Sequence, residues 1–427
     1  MSSRFRQAVC YLRGIVQRRT LLPLMDISPF VTDRPLKGEH ILTGRLHVKS
    51  DRTYRVGVSG SYGGLNMGDE AILESIITRL QDSLPVEITV LSRNPADTMN
   101  RYPGIHAVAA REMTRSEITP VIEGLDLFIL GGGGIIYDAD AKTYLREVNI
   151  AHDLGVPVMV YAISAGPLNV RAIQEIVRDA LNRAAVITVR ERGAKKILED
   201  AGVECDIIIT ADPALLLEPK PLSKGTLMKE HMDVKRRLVG LSVREPGPAA
   251  PDIDTNFYHG LLADVADYII DRYNANVVFI PMERSERDLQ HAHAVISKMM
   301  KPQQCSVLAG EYTPGQILTL MERFDMAVGM RLHFLIFAAL QGVPFIGLPY
   351  STKVLYFLKE LDMETPPLNL VNAGRLIAHL DHIWDTKDTI ADRIAQSLSE
   401  MKRRALKNNQ IAVSMLKGLH PKRKELL

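Results

Sequence analysis

Arg331, His333 and Lys353 are the side chains of this sequence best suited to holding and protonating an anion. Arg331 and His333 open a strongly apolar helix-like run, and Lys353 follows the next strand-like run, VPFIGLPY. If that run is the neighbouring strand of a parallel sheet, the three groups converge at its carboxyl edge, where ligands of open α/β sheets bind. A lone histidine beside a core is more often structural. Taken together, the three groups predict an anionic substrate.

Two adjacent carboxylates, Asp69 and Glu70, follow a glycine-rich turn in GSYGGLNMGDE. One interpretation is structural, because Asn66 and Asp69 can cap the helix that begins near Gly68 and acids in a first turn complement the helix dipole. The other is functional: Asp69 acts as a general base for a hydroxyl, with Asn66 as a binding residue beside it. The glycine spacing matches neither G-x-G-x-x-G nor a Walker loop, so a nucleotide fingerprint is absent.

Glycines and an arginine mark further strand ends. In ILGGGGIIYD four glycines follow an apolar strand, which indicates either tight packing against a helix or a ligand lying on bare backbone. Gly132 and Gly133 are the candidate binding residues there. The turn AISAGPL, with Ser164, is a candidate lining segment that turn chemistry alone also explains. Arg190 ends the run VITVR. A guanidinium at the edge of a sheet where ligands bind can donate two parallel hydrogen bonds to a carboxylate or a phosphate. Arginines at strand ends are, however, often only solvated.

The segments that must position these residues alternate between strand-like and helix-like from Tyr54 onward. Short β-branched runs such as VEITVL and VPVMVYAIS alternate with helical periodicities such as Ile72, Leu73, Ile76, Ile77 and Leu80. This alternation favours parallel sheets covered by helices on both faces. A polar, proline-containing stretch at 218–237 interrupts the pattern. We therefore predict an α/β protein with two doubly wound, Rossmann-like domains, at 54–220 and 236–385, and a helical segment at 386–427.

Composition excludes several classes of protein. Of the 427 residues, 46% are hydrophobic and 24% charged, which is ordinary for a soluble globular protein. The net charge of +2 gives no reason to expect a nucleic-acid partner. The three cysteines show neither disulfide nor metal spacing, and no apolar run approaches the ~20 residues of a membrane span. We expect a cytoplasmic protein without a metal site.

Residues 1–53 form a basic N-terminal extension. The first twenty residues contain five arginines and no acid, with Val9, Leu12 and Val16 spaced as on one helical face. A poorly ordered or helical extension is the favoured interpretation. The same composition also fits a segment that makes peripheral membrane contact, which would place the protein at the inner face of the membrane. It fits an organellar targeting peptide as well.

The motifs YGGLNMGDEAIL, LGGGGIIYD, TVRER and VGMRLHFLIFAALQGVPFIGLPYSTKV, in this order, resemble those of the polysaccharide pyruvyl transferase family. The resemblance covers roughly residues 55–361. It implies a fold like the GT-B glycosyltransferases, with two Rossmann-like domains facing across a cleft. It also implies transfer of pyruvate from phosphoenolpyruvate onto two hydroxyls of a sugar as a cyclic ketal. The N-terminal extension and the looser AISAGPL turn depart from the family pattern.

The resemblance also assigns roles. Asp69 matches the aspartate of the family's GDE turn, and Arg190 matches the arginine of its VRE motif. His333 matches the histidine of the MRLH motif, and Lys353 the lysine after the following strand. Phosphoenolpyruvate carries a carboxylate and a phosphate, so Arg190, Arg331 and Lys353 are expected to hold it. His333 is the expected general acid and Asp69 the expected base on the acceptor side, with phosphoenolpyruvate as co-substrate and no other cofactor.

Two other functions stay open from the residues. A nucleotide-sugar glycosyltransferase would share the architecture, with Glu360 or Asp362 holding a ribose. A non-catalytic sugar-binding protein would also share it, although the candidate catalytic residues are all present. For the transferase, the expected acceptor is a glycan or a lipid-linked sugar of an exopolysaccharide or cell-wall precursor.

Overall fold

Two parallel β-sheets, each covered by helices, organise the part of the chain that the structure describes. The structure is a computed structural model, and it describes residues 52–233, 235–245, 254–283, 287–348, 351–365 and 372–418. The predicted basic extension lies outside these residues, apart from its last two positions. Within the described residues, no helix has the length and apolar character needed to cross a bilayer.

The N-terminal half of the fold is built on the first sheet. Its strands are β1 (Tyr54–Ser59), β2 (Val86–Leu91), β3 (His106–Val108), β4 (Leu127–Leu130), β5 (Gly133–Ile136), β6 (Val158–Ala165), β7 (Val186–Val189) and β8 (Ile207–Ile209). Its helices are α1 (Met67–Ser83), α2 (Pro95–Arg101), α3 (Arg115–Glu123), α4 (Ala141–Asp153), α5 (Arg171–Leu181) and α6 (Arg192–Asp200). The strand order is β3-β2-β1-β4-β6-β7-β8, with all pairs parallel. The direction of winding therefore reverses between β1 and β4.

The C-terminal half repeats this plan on a smaller sheet. Its strands are β9 (Arg237–Ser242), β10 (Ala275–Phe279), β11 (Cys305–Val307), β12 (Met326–Gly329) and β13 (Phe345–Gly347), in the parallel order β11-β10-β9-β12-β13. Its helices are α8 (Thr255–Tyr273), α9 (Arg287–Ile296), α10 (Pro314–Met321), α11 (Leu332–Leu340), α12 (Thr352–Glu360) and α13 (Ala373–Asp385), and the short α7 (Thr226–Lys229) lies in the connection. Winding reverses between β9 and β12. The predicted architecture of two doubly wound α/β halves is confirmed.

The burial of the central strands explains their near-continuous apolar runs. Every residue of β4 (LFIL) and of β6 (VMVYAISA) is buried, because helices cover both faces of the sheet. Each fully buried aliphatic side chain contributes about 1.5–3 kcal/mol relative to its exposed state. The sheet is thus a rigid platform, and the loops at its carboxyl edge carry the polar residues.

The glycine run ends one strand and starts another. Gly131 and Gly132 separate β4 from β5, and β5 then pairs with the carboxyl-terminal part of β6, from Ile163 to Ala165. The sequence pattern predicted all four glycines after the strand, whereas in the structure the last two, Gly133 and Gly134, begin strand β5. Gly133 adopts a φ of +102°, which lets the chain turn there and continue along β6.

The long C-terminal helix α14 (Lys387–Leu416) bridges the two halves, since it contacts β6 in the N-terminal half and α11 in the C-terminal half. Its buried Asn408 accepts hydrogen bonds from the hydroxyls of Thr188 at 2.7 Å and Thr210 at 2.9 Å. The Asn408 amide donates to the carbonyl of Ala211 at 3.3 Å. A single amide therefore fastens α14 to the ends of β7 and β8.

Candidate functional site

The first turns of α1 and α11 meet where the two sheets reverse their winding. Helix α1 follows β1, and helix α11 follows β12, so both begin at a carboxyl strand edge beside a switch point. The ring of His333, on α11, packs directly on Gly68 of α1: a Cβ at Gly68 would lie 1.9 Å from His333 Nδ1. Only glycine at this position allows the two halves to approach so closely.

A loop of the C-terminal half holds the start of α1 in place. The backbone N–H of Met67 donates to the carbonyl of Met282 at 2.7 Å, and Asn66 forms an antiparallel bridge with Glu283. The Asn66 side chain accepts from the N–H of Gly68 at 3.0 Å, as a helix cap. Asn66 thus has the structural role considered from the sequence, and its role in substrate binding stays a prediction.

Asp69 lies half-buried between the two halves. Burial raises the pKa of its carboxyl group, against the opposing effects of His333, a hydrogen bond from Ser61, and the charges of Lys353 and Arg190. Gly133 lies beside it, since a Cβ there would be 3.1 Å from Asp69 Oδ1. A carboxylate with a raised pKa accepts a proton more readily, which suits a general base.

His333 reaches a second carboxylate on its other side. Its Nε2 lies 3.4 Å from Oδ2 of Asp212, an ion-pair distance. The alignment is not that of a hydrogen bond, and this buried Nε2 has no hydrogen-bond partner among the described residues. His333 therefore stands between Asp69 of α1 and Asp212, which follows β8.

Arg190 is buried and neutralised by carboxylates. It donates to Asp212 Oδ2 at 2.6 Å and to Glu191 Oε2 at 3.2 Å. Burial alone would raise the pKa of Asp212, but Arg190, followed by His333, holds that pKa well below its usual range. Burial raises the pKa of Glu191 despite Arg190 and a hydrogen bond from Ser164. The structure shows this guanidinium paired within the protein, and the predicted role of Arg190 in binding an anion stays a prediction.

Lys353 lines a pocket between the two halves. The pocket is open to solvent and contains about 380 Å³ of empty space, open solvent included, and its lining includes Arg190, Asp212, Lys353, Tyr356, Glu360 and Met401. The Lys353 ammonium forms no hydrogen bond or ion pair with the described residues, whereas the Glu360 carboxylate accepts from Arg404 at 2.7 Å. Lys353 is therefore a cation with its full donor capacity left for a ligand. Glu360, considered as a ribose ligand, already has a partner.

Arg331 has different neighbours from those expected. Its guanidinium donates to Asp288 Oδ2 at 2.9 Å and to Glu283 Oε2 at 2.6 Å. Asp288 also accepts from the backbone N–H of Met282, at 3.1 Å. Arg331 thus fixes the loop that holds α1, rather than presenting a free guanidinium beside His333 and Lys353. Its role in substrate binding stays a prediction.

The glycines of the strand ends mainly accommodate side chains. Gly132 packs on Ile72 of α1, where a Cβ would lie 3.0 Å from Cγ2. This agrees with the packing interpretation, and the role of Gly132 in substrate binding stays a prediction. The ring of Tyr137 lies over Gly134 and Gly166, and Cβ atoms at these positions would overlap it. Gly133, beside Asp69, is the glycine of this run that stands nearest to the candidate base.

Three residues of the site were not predicted from the sequence: Asp212, Glu191 and Tyr137. Asp212 directly precedes a proline after the strand-like run III, so the strand-end argument used for the other stretches would have found it. The half-buried Tyr137 lies within electrostatic reach of Arg190. No feature of the local sequence predicts that the Tyr137 ring covers two glycines.

Comparisons with known proteins agree with this fold. The family model described as "Polysaccharide pyruvyl transferase" matches residues 66–352. Amylovoran biosynthesis protein AmsJ of Erwinia amylovora is 20% identical over 316 residues, covering 71% of this chain and 75% of that protein.

Among solved structures, the S. aureus MnaA-UDP co-structure matches with a TM-score of 0.60 at 10% identity, covering 86% of this chain and 97% of that one. UDP-GlcNAc 2-epimerase from Neisseria meningitidis, bound to UDP-GlcNAc, matches with a TM-score of 0.55 at 12% identity, covering 86% and 100%. At these identities the similarity concerns the fold alone, and the predicted GT-B-like fold is confirmed.

Proposed function

Because the chain belongs to the polysaccharide pyruvyl transferase family, we propose that it transfers pyruvate from phosphoenolpyruvate onto two hydroxyls of a sugar in a polysaccharide precursor. The observation that carries the proposal is the contact of His333 with the first turn of α1, which brings a proton carrier beside Asp69. The similarity to a protein named for amylovoran biosynthesis supports a polysaccharide as the destination of the product.

The reaction balances without an oxidant or a reductant. The methylene carbon of phosphoenolpyruvate gains a proton, which makes C2 electrophilic toward a sugar hydroxyl. Two C2–O bonds to the sugar form, and the C2–O bond to phosphate breaks. Of the two hydroxyl protons, one balances the proton gained by the methyl group and the other leaves with inorganic phosphate.

His333 and Asp69 divide the proton transfers in this proposal. His333 is the general acid toward the methylene carbon, and Asp69 takes the proton of the attacking hydroxyl. Asp212 is a positioning residue, because its carboxylate lies 3.4 Å from His333 Nε2 on the side of the ring away from Gly68. Asp69, in the first turn of α1, thus belongs to the acceptor side, since a carboxylate suits a sugar hydroxyl and repels a phosphate.

The donor site combines a cation that has no ion pair among the described residues with one adaptable carboxylate. Lys353 has its three N–H donors available for the phosphate or carboxylate of phosphoenolpyruvate. Burial raises the pKa of Glu191, which lines the same pocket. Glu191 can therefore take up a proton as the anion binds, which lowers the negative charge around it. Arg190, which is buried and paired with Asp212 and Glu191, holds the pKa of Asp212 well below its usual range.

A thermal-shift titration of the purified chain tests the donor. At ~100 times its dissociation constant, phosphoenolpyruvate should add about 2.7 kcal/mol of stability and raise the melting temperature. UDP-sugars and inorganic phosphate serve as comparison ligands. Stabilisation by a UDP-sugar, without any by phosphoenolpyruvate, would refute the proposed donor.

A pair of variants tests the chemistry. We expect His333→Ala and His333→Gln to lose activity equally, because glutamine keeps hydrogen bonding but cannot deliver a proton at neutral pH. A near-normal rate in either variant would exclude His333 as the acid. Measuring phosphoenolpyruvate binding in both variants separates lost chemistry from a lost donor site.

A further inference from the structure

A second cationic cluster lies at the carboxyl edge of the N-terminal half, outside the donor pocket. Arg93 follows β2 and Arg111 follows β3, and both reach Tyr144 of α4. The Arg111 guanidinium lies 4.5 Å from the centre of the Tyr144 ring, and Arg93 donates to the Tyr144 hydroxyl at 3.0 Å. We call Arg93, Arg111 and Tyr144 the arginine cluster.

The arginine cluster retains most of its donors. Arg111 donates to the carbonyl of Gly60 at 2.9 Å, and its guanidinium also lies over the face of the Tyr144 ring. Neither Arg93 nor Arg111 forms an ion pair within the described part of the chain. The nearby Glu147 is buried, pairs with Arg146 at 3.0 Å and lies within electrostatic reach of Arg111. The hydrogen-bond partners of both guanidinium groups are neutral, and N–H donors are left for an anion.

The glycine-rich turn before α1 supports this arrangement. Arg93 crosses Gly64, where a Cβ would lie 2.9 Å from its Nη1. The Gly63 N–H donates to Glu70 Oε1 at 2.8 Å, which ties the same turn to the residue next to Asp69. The turn thus packs against an arginine, and its hydrogen bond to Glu70 links the arginine cluster to the residue that follows the candidate base.

The position of the arginine cluster fits the acceptor. Strands β1, β2 and β3 are consecutive neighbours in the sheet. Adjacent strands lie about 4.8 Å apart, so the ends of β2 and β3 lie roughly 5 and 10 Å from the end of β1, which leads to Asp69. A sugar whose hydroxyls lie at Asp69 would extend its substituent across these strand ends.

We propose that Arg93 and Arg111 form an acceptor subsite for an anionic group, so that the acceptor of this enzyme is a charged sugar derivative. This inference rests on the proposed function for the identity of the acceptor. The group is a phosphate or diphosphate ester on the sugar, or the carboxylate of a uronic acid. A planar guanidinium binds both in bidentate fashion.

Isothermal titration of the full chain tests the subsite with three probes: inorganic pyrophosphate, glucuronic acid and neutral glucose. We expect at least one anion to bind, and the double variant R93Q/R111Q to weaken that binding tenfold or more. Binding of phosphoenolpyruvate should be unchanged in this variant. R93Q alone, which alters an exposed side chain, gives the same test if the double variant fails to fold. The exposed R171Q is the matched control.

The outcomes separate the subsite from the donor pocket. Tighter binding of pyrophosphate than of glucuronic acid would identify a phosphate ester, and the reverse would identify a uronic acid. The proposal is overturned if neither anion binds, if glucose binds as well as the anions do, or if only K353Q, and not R93Q/R111Q, loses anion binding. Failure of phosphoenolpyruvate to bind the wild type would refute the proposed function, while the anion titrations would still decide the subsite.

Discussion

His333 of the C-terminal half lies against Gly68 of the N-terminal half so closely that a Cβ at Gly68 would be 1.9 Å from the imidazole Nδ1. This contact brings the candidate acid next to the helix turn that carries the candidate base, Asp69. In the proposed mechanism, the distance between acid and base therefore depends on the relative position of the two halves.

Gly68→Ala is expected to displace the His333 ring and to abolish most of the activity. The added methyl group has no room, and overpacking of this kind costs about 1–3 kcal/mol of stability. Gly260→Ala is the matched control, because Gly260 also lies in a helix but a methyl group added there would have no neighbour within 4 Å. That change should be neutral or stabilising by about 0.5–1 kcal/mol. Normal activity in Gly68→Ala would refute the importance of the contact.

Asp212→Asn is expected to destabilise the fold by about 3–5 kcal/mol, because it leaves the buried Arg190 without its closest carboxylate. Chemical denaturation measures the difference. The exposed Asp82→Asn should change stability by less than about 0.5 kcal/mol.

The stability that the Asp212 carboxylate contributes should decrease at low pH. The folded-state pKa of Asp212 is depressed, so its contribution is fully present above the unfolded-state pKa of about 3.9 and is lost as pH falls toward the folded value. The difference between wild type and Asp212→Asn should stay constant from about pH 5 to 8 and shrink near pH 3. A constant difference down to pH 3 would contradict the ion pair.

Asp69→Asn is expected to abolish activity and to raise the melting temperature at neutral pH. The folded-state pKa of Asp69 is raised, so the folded protein binds the proton more tightly and loses stability as pH rises through that pKa. Asparagine carries no charge to bury, so the increase in melting temperature over wild type should grow with pH. Melting curves across the pH range measure it, and a gain that falls with rising pH would contradict the raised pKa.

Lys353→Gln is expected to weaken phosphoenolpyruvate binding about tenfold or more with little effect on stability, because the ammonium has no partner within the described residues. Lys359→Gln, an exposed change on the same helix, is the control. Titration calorimetry gives both affinities. Equal affinities in the two variants would place the anion elsewhere.

Asn408→Ala is expected to cost about 1–3 kcal/mol, since the hydroxyls of Thr188 and Thr210 lose a buried acceptor. Gln410→Ala, exposed on the same helix, should have little effect. Urea unfolding compares the two. Equal midpoints would show that Asn408 does not anchor α14.

The local sequence pattern was sufficient to predict the strands and helices of both sheets. It was also sufficient to predict the carboxyl edge of the strands as the place of the candidate site. The alternation of strand-like and helix-like runs predicted both sheets, because strands covered on both faces must be apolar along their length. The same pattern placed Asp69, Arg190, His333 and Lys353 at strand ends, because a parallel sheet collects its loops at one edge. Asp212 was open to the same argument.

Tertiary structure decided which of these groups are free. Arg190 and Arg331 have the same chemical capacity in the sequence as Lys353, yet Asp212 and Asp288 neutralise them in the fold. The packing of His333 on Gly68 and the seating of Arg93 across Gly64 are likewise decided by close approach between distant segments. Sequence determines charge and local conformation, whereas pairing depends on which strand ends and helix turns meet, and only the packed chain determines that.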